Sequence, residues 1–142
     1  VAHRLEYCGE VDGVKYYNDS KGTNVDAAVT AIRAIKKDIL LIAGGDAKGQ
    51  DFAELVKEFD GSIKQLILLG RDAHMIKEAA EKAGFTDFVS CKNMDECVRM
   101  AAQMAEPGDT VLLSPACASW DMYDNFEQRG DHFKQCVSGL DR

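Results

Sequence analysis

Apolar positions along this chain fall into two patterns that alternate with each other. Continuous apolar runs occupy residues 39–43 and 66–69, and residues 110–113 are apolar after the first position, Thr110. Runs of this length are typical of parallel strands that are covered on both faces. Between the runs, apolar residues recur at helical spacing, as in residues 25–36. The alternation predicts strands and helices that follow one another repeatedly, which is the arrangement of a mostly parallel sheet.

The beginning of the chain has a different pattern. Residues 4–9 and 14–17 are predicted to be two short strands, and the Asp12-Gly13 pair between them indicates a tight hairpin turn. A further, weak strand is predicted at residues 88–89. The sheet is therefore expected to begin with an antiparallel hairpin and to continue with parallel strands.

Polar residues that cap helices, and glycines that end them, set the expected helix limits. Thr23, with Asp26 three residues later, resembles a capping box for a helix over residues 25–36. Asp51 is expected to cap a second helix with an apolar stripe over residues 52–59. The remaining helices are predicted over residues 73–83, from Asn93 to before Pro107, and from Asp121 with an interruption around Gly130.

These elements together predict a three-layer, Rossmann-like α/β fold: a mostly parallel sheet with helices on both faces and an N-terminal β-hairpin. In such sheets, ligands bind beyond the carboxyl ends of the strands. Three polar segments, residues 18–24, 44–49 and 114–121, each follow a predicted strand and precede a predicted helix. We expect them to share one edge of the sheet and to form one crevice.

The first two polar segments carry lysines that turn formation alone does not explain. Asn, Asp, Ser, Gly and Thr favour strand-end turns and helix caps, and the glycines of residues 44–49 also suit a flexible connection or the close approach of a ligand. Lys21 and Lys48 are different. A lysine beside a helix N-terminus adds to the positive end of the helix dipole and favours anion binding.

The third segment leaves two explanations open. Ser119 and nearby backbone N–H groups either pack closely between strand and helix or bind an anion at the start of the last helix. Trp120, Tyr123 and Phe126 lie at helical spacing, which favours packing over a cofactor site. Arg4, near the start of the chain, is expected from the pattern alone to be an ordinary surface charge.

Composition and charge narrow the possible functions. The chain has 142 residues, a net charge of −7 and 46% apolar residues, which suits one domain with its own core. The negative charge argues against nucleic acid or an anionic membrane surface as a partner, but a few lysines can still form a site for a small anion. The apolar runs are too short to span a bilayer and no signal segment opens the chain, so a cytoplasmic protein is expected.

The chemistry-bearing residues exclude several kinds of site. The five cysteines are odd in number and include no C-x-x-C pair, so reduced thiols are expected instead of a disulfide framework or a zinc site. Cys117 is interpreted as an inert thiol. The chain contains neither G-x-x-x-x-G-K-S/T nor G-x-G-x-x-G, the usual loops that hold a nucleotide. No metal ligand is assigned.

Five segments, taken in order, resemble the C-terminal domain of the Mur ligases, which form amide bonds in peptidoglycan biosynthesis. The segments are HRLE at 3–6, NDSKGTN at 18–24, GGDAKGQDF at 44–52, LSPACAS at 113–119 and FEQRGDHF at 126–133. The resemblance covers essentially all of residues 1–142 and is greatest to the branch of the family that uses D-glutamate. It implies a glutamate-binding domain, with the N-terminal and central ATP-binding domains of the full enzyme absent from this chain.

The resemblance also implies the chemistry of the full enzyme. ATP phosphorylates the carboxylate of UDP-N-acetylmuramoyl-L-alanine to an acyl phosphate, the amine of D-glutamate attacks it, and phosphate leaves as the amide forms. The absent central domain would hold most of the ATP and the Mg2+, while this domain would bind D-glutamate and close over the ATP. A monomeric ligase is expected, and the isolated domain is expected to be inactive.

The motifs carry over expected binding residues but no certain catalytic residue. Lys48 and Thr23 would hold the carboxylates of D-glutamate, and Lys21 would add positive charge. Arg4 would reach the phosphates of ATP, and Asp19 would reach its ribose. The full set expected around D-glutamate is Lys21, Thr23, Lys48, Ser119, Trp120 through its backbone, and Phe126.

Two other functions stay open at this point. One is the C-terminal domain of a folylpolyglutamate synthase-like ligase, which has a similar fold and also receives glutamate. The segments at 18–24 and 113–119 favour the peptidoglycan enzyme over it. The other is a non-catalytic module that binds a small molecule, which the missing phosphate loop makes less attractive.

Overall fold

A computed structural model describes residues 1–140 and contains six strands and five helices in that range. The strands are β1 (Glu6–Val11), β2 (Val14–Asn18), β3 (Ile39–Ala43), β4 (Ile63–Leu68), β5 (Phe88–Ser90) and β6 (Thr110–Leu113). The helices are α1 (Val25–Ile35), α2 (Ala53–Val56), α3 (Ala73–Lys82), α4 (Met94–Met104) and α5 (Phe126–Ser138).

All strands belong to one sheet in the order β1-β2-β6-β3-β4-β5. β1 and β2 pair antiparallel, and every other neighbouring pair is parallel. The predicted mostly parallel sheet with an opening hairpin is therefore confirmed. Because β6 lies between β2 and β3, the loops that follow these three strands are neighbours at the carboxyl edge of the sheet.

Helices cover both faces of the sheet, which confirms the three-layer arrangement. Residues of α1, α2 and α3 pack with one set of strand residues, including Leu41, Leu66 and Leu68. Residues of α4 and α5 pack with the other set, including Leu40 and Ile42. β3 is buried along its whole length, because successive side chains point to opposite faces and each face carries helices.

The opening hairpin turns at the two residues that the sequence indicates. Asp12 and Gly13 both have positive φ, 53° and 80°, as a two-residue turn of type I′ requires. Val11 and Val14 face each other across the last pair of the ladder and are both buried. The turn therefore sets the register of β1 against β2.

The cap of α1 differs from the expected capping box. Asn24, not Thr23, caps the helix: its backbone is extended, with φ −140°, and its side chain accepts a hydrogen bond from the Ala27 N–H at 2.9 Å. Thr23 lies one residue too early for this role. The corresponding expectation for α4 is confirmed, because the Asn93 side chain accepts from the Glu96 N–H at 2.9 Å.

The second helix is much shorter than its apolar stripe suggests. α2 contains four residues, although Phe52, Leu55 and Phe59 are all buried as expected. The side chain of Asp51 accepts from the Ala53 N–H at 2.8 Å, so it satisfies a free N–H of the first turn. The apolar stripe therefore predicts correctly which side chains are buried. Turns, and not a longer helix, place these side chains in the core.

The last helix begins later than expected and has no interruption. Asn125 caps α5 by accepting from the Gln128 N–H at 2.8 Å, and the expected start near Asp121 lies in a segment of turns. Gly130 is inside the helix. A Cβ at this position would collide with the imidazole of His3 and lie 2.9 Å from the amide nitrogen of Asn18, so the glycine allows close packing.

Candidate functional site

Three loops meet at the carboxyl edge, as the sequence predicts. We call them the first loop (residues 19–24, after β2), the second loop (44–52, after β3) and the third loop (114–125, after β6). The N–H of Ala116 donates to the carbonyl of Gly22 at 2.8 Å. Asp46 and Ala118 exchange two backbone hydrogen bonds, at 2.9 and 2.8 Å. The third loop therefore joins the other two.

Gln50 adds a side-chain connection among the same loops. Its amide nitrogen donates to the carbonyls of Ala47 at 2.9 Å and Ala116 at 3.0 Å. Its amide oxygen accepts from the N–H of Val25, the first residue of α1, at 3.0 Å. One side chain thus ties the second loop to the third loop and to the N-terminus of a helix.

The glycines of the second loop serve this packing. Gly44 has φ 127°, and a Cβ there would collide with the carbonyl of Leu69; Gly45 has φ 137°, and a Cβ there would lie 2.5 Å from the carbonyl of Ala118. The neighbours that approach these glycines are therefore backbone atoms of the protein. Both positions are tightly enclosed, so close packing accounts for the glycines at 44 and 45.

A buried guanidinium lies beneath the first and third loops. Arg129 is 2% exposed; its Nε donates to Ser20 Oγ at 2.9 Å, and its terminal nitrogens donate to the carbonyls of Ser20 at 2.7 Å and Cys117 at 3.0 Å. All three acceptors are neutral, and burial lowers the pKa of Arg129 to about 10. No ion pair joins this arginine to a carboxylate within residues 1–140.

Sequence reasoning missed Arg129, although a signal was present. Phe126, Arg129 and Phe133 have the spacing i, i+3 and i+7, so they share one helix face. Phe133 on that face is fully buried. A charged residue within an apolar stripe indicates a buried, hydrogen-bonded group, and here that group fixes two loops of the site.

Asp19 holds the segment that precedes β1 against the first loop. Its carboxylate is 4% exposed and accepts hydrogen bonds from the Leu5 N–H at 3.1 Å and from Ser114 Oγ at 2.7 Å. Burial raises the pKa of Asp19, and these hydrogen bonds partly offset the effect. The N–H of Lys21 also donates to the carbonyl of His3 at 2.9 Å, so residues 3–5 and the first loop form one unit.

A small cavity opens beside this unit. It has a volume of about 220 Å³, and its lining includes Arg4, Asp19, Lys21 and Gly22 together with residues of α1. Arg4 and Lys21 are exposed, and in the described part of the chain neither of them forms an ion pair. These two cations outnumber the one carboxylate of the lining, Asp19, where the charge of Arg4 partly offsets the rise in pKa that burial causes, so the exposed rim of the cavity carries net positive charge. Arg4 is thus more than an isolated surface charge.

Lys48 lies in the second loop with its side chain exposed. Its ammonium is 5.9 Å from the centre of the Trp120 ring, a distance that suits a weak cation–π contact. Among residues 1–140, no carboxylate forms an ion pair with this ammonium. Lys48 is therefore available to a ligand anion.

Trp120 and Ser119 lie in surroundings that differ from those expected from the sequence. Trp120 is 66% exposed, so the expectation that it packs in a helix with Tyr123 and Phe126 is wrong. The carbonyl of Ser119 accepts from the N–H groups of Met122 and Tyr123, at 3.1 and 2.8 Å, in a turn that precedes α5. Ser119 is buried and is not at the N-terminus of the last helix, which begins at Phe126.

The remaining expected site residues lie around the same three loops. Thr23 is half-buried in the first loop, and its N–H donates to the carbonyl of Lys21 at 2.8 Å. Phe126 is also half-buried. Its carbonyl accepts from Ser20 Oγ at 2.7 Å, and its ring packs edge-on against His3 with centroids 6.0 Å apart.

The cysteine thiols and potential metal ligands of the described residues do not form a reactive site. Cys117 is buried, and burial raises the pKa of its thiol to about 12, which disfavours the reactive thiolate. The cysteines of the described residues are free thiols, and the described chain holds no group of three or more potential metal ligands. No helix within residues 1–140 is both long and apolar enough to cross a membrane.

The fold and this edge define a three-layer α/β domain whose carboxyl edge carries three cations, Arg4, Lys21 and Lys48, that form no ion pair within residues 1–140. The sequence profile described as "Mur ligase, glutamate ligase domain" matches residues 3–117. The chain therefore belongs to the Mur ligase family, in its C-terminal, glutamate ligase domain.

Curated relatives share about half of their matched residues with this chain. The UDP-N-acetylmuramoylalanine–D-glutamate ligase of Alkaliphilus metalliredigens is 53% identical over 142 residues, which are 100% of this chain and 31% of that protein. The ligase of the same name from Caldanaerobacter subterraneus is 52% identical over 144 residues, 100% of this chain and 32% of that protein. The chain thus spans about a third of the length of these relatives.

Solved structures support the fold. A murein peptide ligase from Psychrobacter arcticus superposes with a TM-score of 0.68 at 12% identity, covering 99% of this chain and 31% of that one. A folylpolyglutamate synthase from Mycobacterium tuberculosis, solved with ADP and AMPPCP, gives a TM-score of 0.64 at 13% identity and covers 99% of this chain and 33% of that one.

Proposed function

We propose that this chain is the amino-acid-binding domain of an ATP-dependent ligase that adds D-glutamate to UDP-N-acetylmuramoyl-L-alanine in peptidoglycan biosynthesis. The observation that carries the proposal is a set of three cations at the carboxyl edge, Arg4, Lys21 and Lys48, which have no carboxylate partner within residues 1–140. The net charge of the chain is −7. Unpaired cations beside one crevice of an acidic protein suit a ligand with several negative charges.

In this proposal all three loops contribute to the pocket that receives D-glutamate. Lys48 and Thr23 bind its two carboxylates, because ammonium and hydroxyl donors make short, charge-assisted hydrogen bonds to them. Lys21 adds positive charge from the first loop. Ser119 and the backbone of Trp120 contribute polar contacts from the third loop. The ring of Phe126 completes the apolar part of the pocket.

The small cavity beside α1 is proposed as the part of the domain that faces ATP. Arg4 is exposed at its rim and reaches the phosphates. Asp19 lines the cavity and, although both carboxylate oxygens already accept hydrogen bonds, each keeps a lone pair for a ribose hydroxyl. Mg2+ and the loop that holds the phosphates belong, in this proposal, to the rest of the longer enzyme.

The domain acts in this reaction by positioning. ATP converts the carboxylate of the first substrate to an acyl phosphate, whose carbonyl carbon is then attacked by the amine of D-glutamate, and phosphate leaves with the bonding electrons. Holding both carboxylates of the amino acid directs its amine to the acyl phosphate and lowers the entropic cost of the encounter. The domain alone would not form the product. A cytoplasmic, monomeric enzyme is part of the proposal.

The first test is Lys48→Ala in an active enzyme. This enzyme is made by joining the chain to the preceding two thirds of the Alkaliphilus metalliredigens relative. Loss of a charge-assisted hydrogen bond is expected to raise the KM for D-glutamate about 10- to 100-fold and to leave the KM for ATP nearly unchanged. Phosphate release at varied D-glutamate measures both constants.

The matched control for this test is Lys37→Ala. Lys37 is also an exposed lysine, but it precedes β3 and therefore lies at the opposite edge of the sheet. Its removal should leave every kinetic constant within about twofold, since an isolated surface charge contributes little. An unchanged KM for D-glutamate in Lys48→Ala would refute the proposed pocket.

A second test separates the proposal from a folylpolyglutamate synthase-like enzyme. The structural likeness to such synthases lies at 13–15% identity and supports the fold alone, whereas the relatives at 46–53% identity are D-glutamate ligases by name. The joined enzyme is expected to release phosphate with D-glutamate and UDP-N-acetylmuramoyl-L-alanine. Turnover with L-glutamate and a folate, and none with D-glutamate, would favour the other assignment.

A further inference from the structure

The backbone of Lys48 adopts a conformation that needs support. Its φ is 52°, in the left-handed region that is unfavourable for a residue with a side chain. The N–H of Lys48 donates to Oδ1 of Asp46 at 3.0 Å. This side-chain acceptor two residues earlier closes a local turn and stabilises the conformation from which the lysine side chain extends.

A second carboxylate and one guanidinium complete the support. Oδ2 of Asp72 accepts from the Ala47 N–H at 2.9 Å. One terminal nitrogen of Arg71 lies 3.0 Å from Oδ1 of Asp46 and 3.4 Å from Oδ2 of Asp72. Two consecutive N–H groups of the second loop are thus held by two carboxylates, and one cation bridges these carboxylates.

The guanidinium of Arg71 also offsets negative charge beside the proposed pocket. Two carboxylates beside the proposed glutamate pocket would repel the ligand, and Arg71 offsets part of their charge. The hydrogen bond from Ala47 and the charge of Arg71 lower the pKa of Asp72, so this carboxylate is ionised at neutral pH. The backbone of Arg71 is itself fixed, because its N–H donates to Oδ2 of Asp121 in the third loop at 2.9 Å.

We infer that Asp46, held by Arg71, is a positioning residue that presents Lys48 to the ligand carboxylate. The inference rests on the proposed function, because it concerns the same pocket. Asp46 itself would not touch the ligand. Without its acceptor, the second loop populates conformations in which Lys48 leaves the pocket, and the apparent affinity falls in proportion to the competent fraction.

Three variants of the joined enzyme distinguish the role of Asp46 as a hydrogen-bond acceptor from the role of its negative charge. Asp46→Ala removes both and is expected to raise the KM for D-glutamate about 5- to 20-fold with little change in kcat. Asp46→Asn keeps an oxygen acceptor for the Lys48 N–H and should stay within about threefold of the parent. Arg71→Met, at a position that is mostly exposed and therefore tolerant, should raise this KM by about two- to fivefold.

A matched control lies in the same loop. Asp51 also accepts a backbone hydrogen bond two residues away, from the Ala53 N–H at 2.8 Å, but it supports α2 and not Lys48. Asp51→Ala should therefore leave the KM for D-glutamate within about twofold, even if loss of the hydrogen bond from the Ala53 N–H lowers the Tm. Thermal unfolding of each variant shows whether its fold is intact.

The decisive measurement is a double-mutant cycle with Lys48→Ala. If Asp46 acts through Lys48, then Asp46→Ala and Arg71→Met should change the KM for D-glutamate by less than about twofold when Lys48 is already alanine. Equal effects in both backgrounds would overturn the inference, as would no effect of Asp46→Ala and Arg71→Met in the parent. Either result leaves the proposed function standing as long as Lys48→Ala alone raises the KM. If Lys48→Ala has no effect, the proposed function fails.

Discussion

Replacing Arg129 by methionine is expected to destabilise the 142-residue chain by about 2–4 kcal/mol, because one buried hydroxyl and two buried carbonyls lose their donor. For a domain of this size, that corresponds to a fall in Tm of about 5–15 °C. Loss of these hydrogen bonds contributes more to the change in unfolding free energy than loss of the charge does. Burial already lowers the pKa of Arg129 to about 10, so its charge opposes folding at neutral pH and its removal is not itself a loss. Thermal and urea unfolding measure the change.

The control for Arg129 is Arg33→Met. Arg33 also forms a forked interaction, with both oxygens of Glu58 at 2.9 and 3.0 Å, but its side chain is 69% exposed. Exposed surface pairs contribute little to stability, so the Tm of Arg33→Met should differ from that of the parent by only a few degrees. Equal shifts for the two variants would contradict the role assigned to Arg129.

Replacing Gly44 by alanine is expected to cost at least about 3 kcal/mol, since it combines backbone strain with a collision. The φ of 127° is rarely adopted by residues with a side chain, and the new Cβ would strike the carbonyl of Leu69. Relief of this collision requires the ends of β3 and β4 to separate, and the hydrogen bond from the Leu69 N–H to Ala43, 3.1 Å long, would be lost. The free energy of unfolding in urea measures the effect.

Gly61 provides the comparison that separates strain from collision. Its φ is 77°, yet a Cβ there would have nothing within 4 Å. Gly61→Ala should therefore cost only about 1–2 kcal/mol, the penalty for a left-handed backbone. If the two alanine variants unfold with the same free energy, the close approach at Gly44 has no energetic importance.

The sheet could be predicted from the sequence because its strands are buried on both faces. Residues 39–43 are a continuous apolar run, and residues 110–113 are apolar after Thr110. The two segments form β3 and β6 with the same limits. The Asp12-Gly13 turn was equally clear, because few residues adopt positive φ at two successive positions. The three polar segments after β2, β3 and β6 were then expected at one edge, since parallel strands end at the same edge. They are neighbours there because β6 lies between β2 and β3, an order that the apolar pattern does not show.

Helix limits were less predictable because several residues can satisfy the same N–H groups. Thr23 and Asn24 are both good caps, and only the geometry of the first loop selects Asn24. The spacing of Trp120, Tyr123 and Phe126 suggested a helix, but a turn around Ser119 occupies that segment and leaves Trp120 exposed. Periodicity does not distinguish such turns from a helix.

The candidate site was only partly accessible to sequence reasoning. Lys21 and Lys48 stand out because cations beside helix starts and strand-end glycines are unusual in plain turns. The supporting contacts were not accessible, because Arg129 and Asp46 act through hydrogen bonds to loops that are distant in sequence or through a particular backbone conformation. The assignment of individual residues to D-glutamate and ATP stays a prediction for the experiments above.

The chain contains a single tryptophan, and this residue is the exposed Trp120 beside Lys48. Fluorescence excited selectively in the indole therefore reports on one place, the edge where the second and third loops meet, with no signal from an indole in the core. A ligand that displaces water or the ammonium from the ring changes the emission directly. The domain thus carries its own unlabelled optical probe for titrations.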